Sequence, residues 1–273
     1  MQQLHTIKKM LPPPPPEVKE LFDAVELNDE EINSAIFDAK RNKYFVLDEE
    51  RKQQEKKDIR DEALRPWSTN ELFHFAKKEA EVLVKISGKV HCLDEYVEPV
   101  FNQLCLYFSN NALFESNGLS LNKGIMLIGN VGVGKTDLLK AFRKNKRQCF
   151  LPVTCNEVEE KCRDKGLRYS ETFAGPVPGH GNTPQYFFQH QVGWMFDDLG
   201  TEGIIKEYGN QLEVMEKIIH MRYMLKEHVP FNTMHLTTNI PVDDLEKRYG
   251  YRMRSRVREM FNVITLPGPD RRK

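Results

Sequence analysis

The sequence predicts an α/β protein in which helices sandwich a parallel sheet, with an α-helical extension in front of the sheet. From about residue 91, short apolar runs alternate with segments of helical periodicity, which is typical of a doubly wound parallel sheet. The apolar run Gly124–Ile128 leads directly into a glycine-rich segment and then into a helical pattern. The first 90 residues carry only helical patterns and a proline-rich arm. We therefore expect an extension at 1–90 and a sheet domain at 91–273, with the boundary near residue 90.

The composition limits the classes of protein that fit. A chain of 273 residues is long enough for one large domain, or for a medium domain plus an extension. The hydrophobic content of 40% allows a packed core, while the mean hydropathy of −0.58 indicates a very polar surface or an exposed segment. Because the formal net charge is zero, any contact with nucleic acid must come from a local patch.

The extension has its own local signals. Pro12 to Pro16 form a stiff stretch that we interpret as a spacer, with an SH3-type ligand as the alternative. A charged segment at 49–62 is either a solvated helix or a linker. Ser68 and Glu71 form a capping box for a helix that can pack on either side of the boundary. Helical spacing predicts three apolar stripes: Val18, Leu21, Phe22 and Val25; Ile32, Ala35, Ile36 and Ala39, after a cap at Asn28 or Asp29; and Leu72, Phe75, Ala76, Ala80 and Leu83.

In the sheet domain, predicted strands and predicted helices alternate regularly along the chain. Thr154 and Glu157 form a second capping box, and Gly166 is a candidate C-cap for the helix that they open. A segment rich in Gly and Pro at 173–184 is expected to be an exposed loop. The predicted strands are 124–128, 150–153, 192–196, 235–238 and 263–266, and the predicted helices are 96–108, 137–142, 154–166, 211–225 and 242–249.

The segment between the first strand and its helix has the pattern of a phosphate-binding loop. Its residues are Gly129, Asn130, Val131, Gly132, Val133, Gly134, Lys135 and Thr136, and Asp137 opens the helix. Glycines let the backbone adopt positive φ and approach a phosphate, and successive N–H groups at a helix N-terminus favour an anion. Lys135 would reach the β- and γ-phosphates of ATP, and the Thr136 hydroxyl would bind Mg²⁺. By position alone, we expect 119–123 to contact the base.

Two acids follow a later apolar run, Val192 to Phe196. In a parallel sheet this strand would end at the same edge as the strand before the loop. Asp197 would then hold Mg²⁺, directly or through water. Asp198 would act as the general base toward the attacking water. Taken alone, the pair also fits a surface turn after a core strand.

The cysteines and the apolar runs indicate the cellular compartment of the protein. The chain has five cysteines and no C-x-x-C pair, so a zinc site is not expected. We expect these cysteines to be reduced thiols. No signal peptide or long apolar run is visible. We therefore expect a cytoplasmic protein. The five are Cys92, Cys105, Cys149, Cys155 and Cys162.

Four motifs in order resemble the AAA+ helicase loaders, the DnaC and IstB-like group, over roughly residues 91 to 273. The phosphate-binding loop comes first, and Asp197 to Glu202 resembles the second acidic motif of the group. His235 to Asn239 resembles its sensor 1 strand, which implies that Asn239 positions the lytic water. Tyr249 to Arg258 resembles its arginine-finger segment and implies the finger role for Arg256. The ending Asp270-Arg271-Arg272 is similar to a D-x-R ending and makes Arg272 a candidate second phosphate sensor.

The resemblance implies an ATPase that uses ATP and Mg²⁺ and assembles head to tail. Its partners would be a hexameric replicative helicase and single-stranded DNA. The alternatives are an IstB-like transposition helper that acts with a transposase on duplex DNA, and a nucleotide-dependent adaptor that does not hydrolyse. From the residues alone, the arginines between 248 and 258 also fit a solvated or phosphate-binding helix face, and Lys144, Lys146 and Arg147 are further candidates for DNA phosphates.

Overall fold

The computed structural model describes residues 16–87, 93–178, 192–207 and 210–272. By compactness the chain divides into two units, Met1–Glu62 and Ala63–Lys273. The predicted proline stretch at Pro12 to Pro15 and the second half of the loop predicted at 173–184 lie outside the described residues.

The first unit is helical. Helix α1 covers Lys19–Asp23, and helix α2 begins at Asp29 and continues to Leu64. Asn28 caps α2 as predicted, because its Oδ1 accepts the N–H of Glu31 at 2.9 Å while Glu31 accepts the N–H of Asn28 at 2.9 Å. The charged segment at 49–62 is thus part of a helix and not a linker, with pairs such as Lys52–Asp48 one turn apart at 2.7 Å.

The second unit is built on a five-stranded, all-parallel sheet, which confirms the predicted fold class. The strand order is β2-β3-β6-β1-β7. A separate antiparallel hairpin is formed by β4 and β5. The strands are β1 Gly124–Ile128, β2 Phe150–Thr154, β3 Gly193–Leu199, β4 Ile205–Glu207, β5 Asn210–Leu212, β6 Met234–Thr238 and β7 Phe261–Thr265.

Helices cover both faces of this sheet. Alternate residues of β1 serve the two layers, because Ile125 and Leu127 pack with one buried cluster and Met126 with the other. No helix in the described segments combines the length and apolar character needed to cross a membrane. The helices of this unit are α3 Thr69–Ser87, α4 Glu98–Phe108, α5 Lys135–Lys140, α6 Cys155–Lys165, α7 Ser170–Ala174, α8 Val214–Met224, α9 Val242–Tyr249 and α10 Tyr251–Met260.

The structure differs from the sequence prediction at several places. Helix α3, which the sequence left open to either side, packs Leu72 and Ala76 into the core beside α4, within the compact unit that begins at Ala63. The helix predicted at 211–225 begins at Val214, because Asn210–Leu212 pair with Ile205–Glu207. Strand β3 continues to Leu199, so both acids lie inside the strand, where its register with β6 shifts.

The close approach of β3 to the segment before β6 predicts a specific intolerance. A Cβ on Gly193 would lie 2.1 Å from the Thr233 carbonyl oxygen, which is backbone and cannot rotate away. We expect Gly193→Ala to lower the free energy of unfolding by at least roughly 1–3 kcal/mol, measured by urea denaturation. Gly175→Ala is the matched control, since a Cβ there meets no atom within 4 Å. Equal stability of the two variants would contradict this packing.

Candidate nucleotide site

The phosphate-binding loop joins the carboxyl end of β1 to α5. Gly132 and Gly134 adopt φ values of 83° and 96°, which explains the need for glycine at both positions. Lys135 is 6% exposed, and its Nζ donates hydrogen bonds to the carbonyl oxygens of Gly129 at 2.8 Å and Asn130 at 2.9 Å. The ammonium group is therefore held against the loop, where a phosphate would approach.

Asp197 connects this loop to the sheet. Its side chain is buried in β3, and its Oδ1 accepts hydrogen bonds from the Thr136 hydroxyl at 2.7 Å and the Thr237 hydroxyl at 2.6 Å. A carboxylate and a hydroxyl at this separation are the hard oxygen donors that Mg²⁺ takes together with water and phosphate oxygens. The residues present therefore fit the ion that the sequence predicted, with Thr136 and Asp197 as its protein ligands.

Asp198 has a different environment from Asp197. Its φ of 57° lies in the left-handed region, which residues other than glycine adopt rarely. The side chain is exposed and lines the cavity beside the loop. Desolvation, followed by the neighbouring charge of Asp197, raises the pKa of Asp198. A raised pKa brings this carboxylate closer to the basicity that a general base needs near neutral pH.

The pKa of Lys135 is shifted in the opposite direction to that of Asp198. Burial of the ammonium group lowers the pKa of Lys135, and the charges of Asp198 and Asp197 act against that decrease. The charge of Arg272 lowers it further. The Lys135 ammonium group therefore lies within the electrostatic influence of both acids and of Arg272.

The cavity beside the loop has a volume of about 440 Å³. It brings together most of the predicted site residues, including Asn239 from the end of β6 and Arg272 near the end of the chain. Apolar side chains line it as well, which gives a surface for a base. The lining residues are Val97, Val131, Gly132, Gly134, Lys135, Thr136, Asp137, Leu138, Lys140, Asp198, Thr201, Asn239, Arg271 and Arg272.

The segment at 119–123, expected to contact the base, lies elsewhere. The Tyr107 hydroxyl donates to the Lys123 carbonyl oxygen at 2.7 Å, and the Ser120 N–H donates to Asn262 at 2.8 Å. These contacts hold the segment at the amino end of β1, whereas the loop follows the carboxyl end. The expectation was wrong because residues that precede a strand lie at its amino end, at the edge of the sheet opposite to the phosphate-binding loop. Val97, Val131 and Leu138 are the apolar residues that line the cavity instead.

Sequence reasoning missed the two residues that tie the loop to the rest of the fold. Arg271 donates one hydrogen bond to the Val133 carbonyl oxygen at 2.8 Å and another to Asp94 at 2.6 Å. The other oxygen of Asp94 accepts the N–H groups of Tyr96 and Val97 at 3.0 Å, just before α4. A partly buried arginine thus joins the end of the chain, the loop and the start of α4. The D-x-R ending was the available signal, although it directed attention to Arg272.

Arg256, the predicted arginine finger, does not line the cavity of its own chain. It lies on α10 with its guanidinium carbon 5.4 Å from the centre of the Tyr223 ring. Among the described residues no carboxylate lies within ion-pair distance of it. Its neighbours on the same helix differ, because Arg254 and Arg258 pair with Asp243 at 2.6 and 3.4 Å.

The basic residues proposed for DNA contact are engaged within the fold. Arg147 donates to the carbonyl oxygens of Tyr107 and, at 2.6 Å, Leu121. Lys144 pairs with Glu79 at 3.3 Å, and Lys146 lies over the Trp67 ring at 5.3 Å. Arg147 is therefore structural, and the other two have internal contacts that a DNA phosphate would have to replace.

Comparison with known proteins gives a distant similarity. No protein-family model matches the chain. The 26S proteasome regulatory subunit 8 of Caenorhabditis elegans and its homolog in Encephalitozoon cuniculi are each 25% identical over 130 residues, or 47% of this chain. The matched region is 30% and 31% of those relatives, so the chain spans a little under a third of their length. This similarity supports the AAA+ superfamily and not the DnaC and IstB-like group in particular.

The contacts of Arg271 predict a role in nucleotide affinity. Arg271→Ala removes the bonds from its guanidinium to Val133 and Asp94, so the loop would lose this side-chain anchor. We expect the Kd for ATP, measured by isothermal titration calorimetry, to rise roughly tenfold. Arg168→Ala is the matched control, because Arg168 pairs with Glu171 on the surface. An unchanged Kd in Arg271→Ala would show that the loop does not depend on this anchor.

Proposed function

We propose that the protein is an ATP-binding and ATP-hydrolysing member of the AAA+ superfamily. The observation that carries the proposal is the convergence of Lys135, Thr136, Asp198 and Asn239 on one cavity, with Asp197 bonded to Thr136. A glycine-rich turn that arose by chance would not be expected to lie beside two carboxylates and an amide from two neighbouring strands. The similarity to proteasome regulatory subunit 8 supports the same general activity.

Each residue has a defined task in this proposal. Loop N–H groups and Lys135 neutralise the β- and γ-phosphates of ATP. Thr136 and Asp197 hold Mg²⁺, which when bound offsets charge on the phosphate oxygens. Asp198 accepts a proton from the attacking water, and Asn239 orients that water beside the γ-phosphate.

Arg256 acts on the site of a second copy of this chain. It lies outside its own cavity, and no described carboxylate neutralises it. An arginine supplied by a neighbour covers the charge that develops on the γ-phosphate in the transition state. Such a contact is heterologous and repeats head to tail, so the assembly is a ring or an open helix.

The biological role that we propose is that of a DnaC-like helicase loader acting on single-stranded DNA. The four ordered motifs support the group. The first unit supports a protein partner, because α2 exposes several large apolar side chains along a third of its length. Exposed patches of this kind mark interaction sites. These side chains are Ile36, Phe37, Tyr44, Phe45 and Leu47, with exposed fractions between 47% and 64%.

The finger assignment predicts complementation between two inactive variants. Lys135→Ala should abolish ATP binding, whereas Arg256→Ala should bind ATP normally and lose turnover by roughly 10³-fold or more. A mixture of the two should recover turnover, since one variant supplies an intact site and the other supplies Arg256. Isothermal titration calorimetry measures ATP binding by each variant, and phosphate release measures the turnover of each variant and of the mixture. Arg258→Ala, on the same helix, is the control and should turn over normally. Normal hydrolysis by Arg256→Ala alone would exclude the finger role.

Partner capture distinguishes the proposed roles. Asp198→Asn should bind ATP and stall, so it is the bait for affinity capture from extract of the native cell. We expect a hexameric helicase, and we expect Phe37→Ser with Phe45→Ser in the bait to abolish its capture. Met224→Ser is the matched control, since Met224 is 67% exposed in the second unit. Capture of a transposase would instead assign the protein to the IstB-like role, with the same ATPase site.

A further inference from the structure

The turn that presents Asp198 adopts an unfavourable backbone conformation. Asp198 has φ of 57°, Gly200 follows with φ of 102°, and the pairing of β3 with β6 shifts register between Phe196 and Leu199. For a residue other than glycine this conformation is unfavourable and persists where the surrounding structure fixes it. The surrounding structure must therefore impose it, and two neighbouring elements make the contacts that do so.

The first set of contacts comes from β6. The Thr237 side chain is fully buried, and its hydroxyl donates to Asp197 Oδ1 at 2.6 Å while accepting the Asp198 N–H at 2.9 Å. One hydroxyl thus joins the side chain of the first acid to the backbone of the second. The next residue, Thr238, donates to the Leu199 carbonyl oxygen at 2.7 Å. Strand β6 therefore fixes the turn on its inner side.

The second set of contacts comes from α9. Arg248 donates to the carbonyl oxygens of Gly200 and, at 2.5 Å, Glu202. The buried carboxylate of Glu202 accepts the Gly200 N–H at 2.8 Å and the Tyr249 hydroxyl. The Arg248 guanidinium also lies 3.6 Å from Glu213. The outer side of the turn is thus held by a small network of hydrogen bonds and ion pairs.

We propose that Thr237 and Arg248 are positioning residues of the hydrolytic step, which hold the Asp198 carboxylate where it can take a proton from water. The proposal rests on the proposed ATP hydrolysis by this site. Neither side chain lines the cavity, so neither is expected to contact the nucleotide. Their loss should consequently affect turnover much more than ATP binding.

A structural role alone would produce a different result. If the Thr237 hydroxyl only stabilises the fold, its removal lowers the free energy of unfolding and leaves the kcat of the folded protein unchanged. If it positions Asp198, kcat falls in a protein that is folded and saturated with ATP. A serine at the same position keeps the hydroxyl and should keep the function.

The experiment compares Thr237→Val, which has nearly the same shape but no hydroxyl, with Thr237→Ser. We expect the valine variant to lose kcat roughly 10- to 100-fold with the Kd for ATP within about twofold of wild type. The serine variant should retain most of the wild-type kcat. Thr233→Val is the matched control, because Thr233 is also buried but bonds to Arg222 and Pro230 at the start of β6. That control should lose stability and keep its kcat.

The outcomes separate this proposal from the proposed function. A wild-type protein that binds ATP without turnover refutes the hydrolysis itself. A wild-type protein that hydrolyses, together with a Thr237→Val variant of equal kcat, refutes only the positioning role. If Thr237→Val does not fold, Arg248→Met makes the same test from the other side of the turn. Its control is Arg168→Met, since Arg168 pairs with Glu171 on the surface. A wild-type kcat in Arg248→Met would then overturn the proposal.

Discussion

The hydrogen bond between Thr136 and Asp197 is the contact on which the rest of the site depends. It joins the helix that follows the phosphate-binding loop to β3 at 2.7 Å. Strands β1 and β3 are not neighbours, because β6 lies between them. Thr237 on β6 bonds to the same carboxylate oxygen, so two neighbouring strands and the helix after the loop meet at one carboxylate. The parallel arrangement makes this possible, since it brings the carboxyl ends of all three strands to one edge.

Burial then shifts the pKa values of the charged groups around that carboxylate in opposite directions. Desolvation lowers the pKa of Lys135 and raises the pKa of Asp198, while opposite charges nearby limit both changes. Arg271 stabilises the loop without competing for the phosphates, because it is directed toward Val133 and Asp94. Arg272 remains available at the cavity itself. The last residues of the described chain are therefore an integral part of the nucleotide site.

Helices α9 and α10 carry the residues for two proposed roles, the positioning of Asp198 and the arginine finger. Arg248 on α9 contacts the turn that carries Asp198, and Arg256 on α10 is the proposed finger. The two helices are joined by the ion pair between Arg254 and Asp243 at 2.6 Å. A neighbouring copy that binds Arg256 would thus contact α10, which packs beside the helix that holds the turn of Asp198, the proposed general base. The internal engagement of Arg147 and Lys144 leaves fewer basic residues for DNA than the sequence indicated.

Local patterns in the sequence by themselves determined the parallel α/β class, the loop from Gly129 to Thr136 and the acid pair. Each depends on residues that are adjacent in the chain, and loop, strand and cap chemistry act over that range. Contacts between distant residues were decided only by the tertiary structure. The bond from Arg271 to Asp94 spans 177 positions, and the one from Thr237 to Asp197 spans 40. The hairpin at 205–212 and the placement of α3 with the sheet likewise depend on pairing and packing partners that no local pattern specifies.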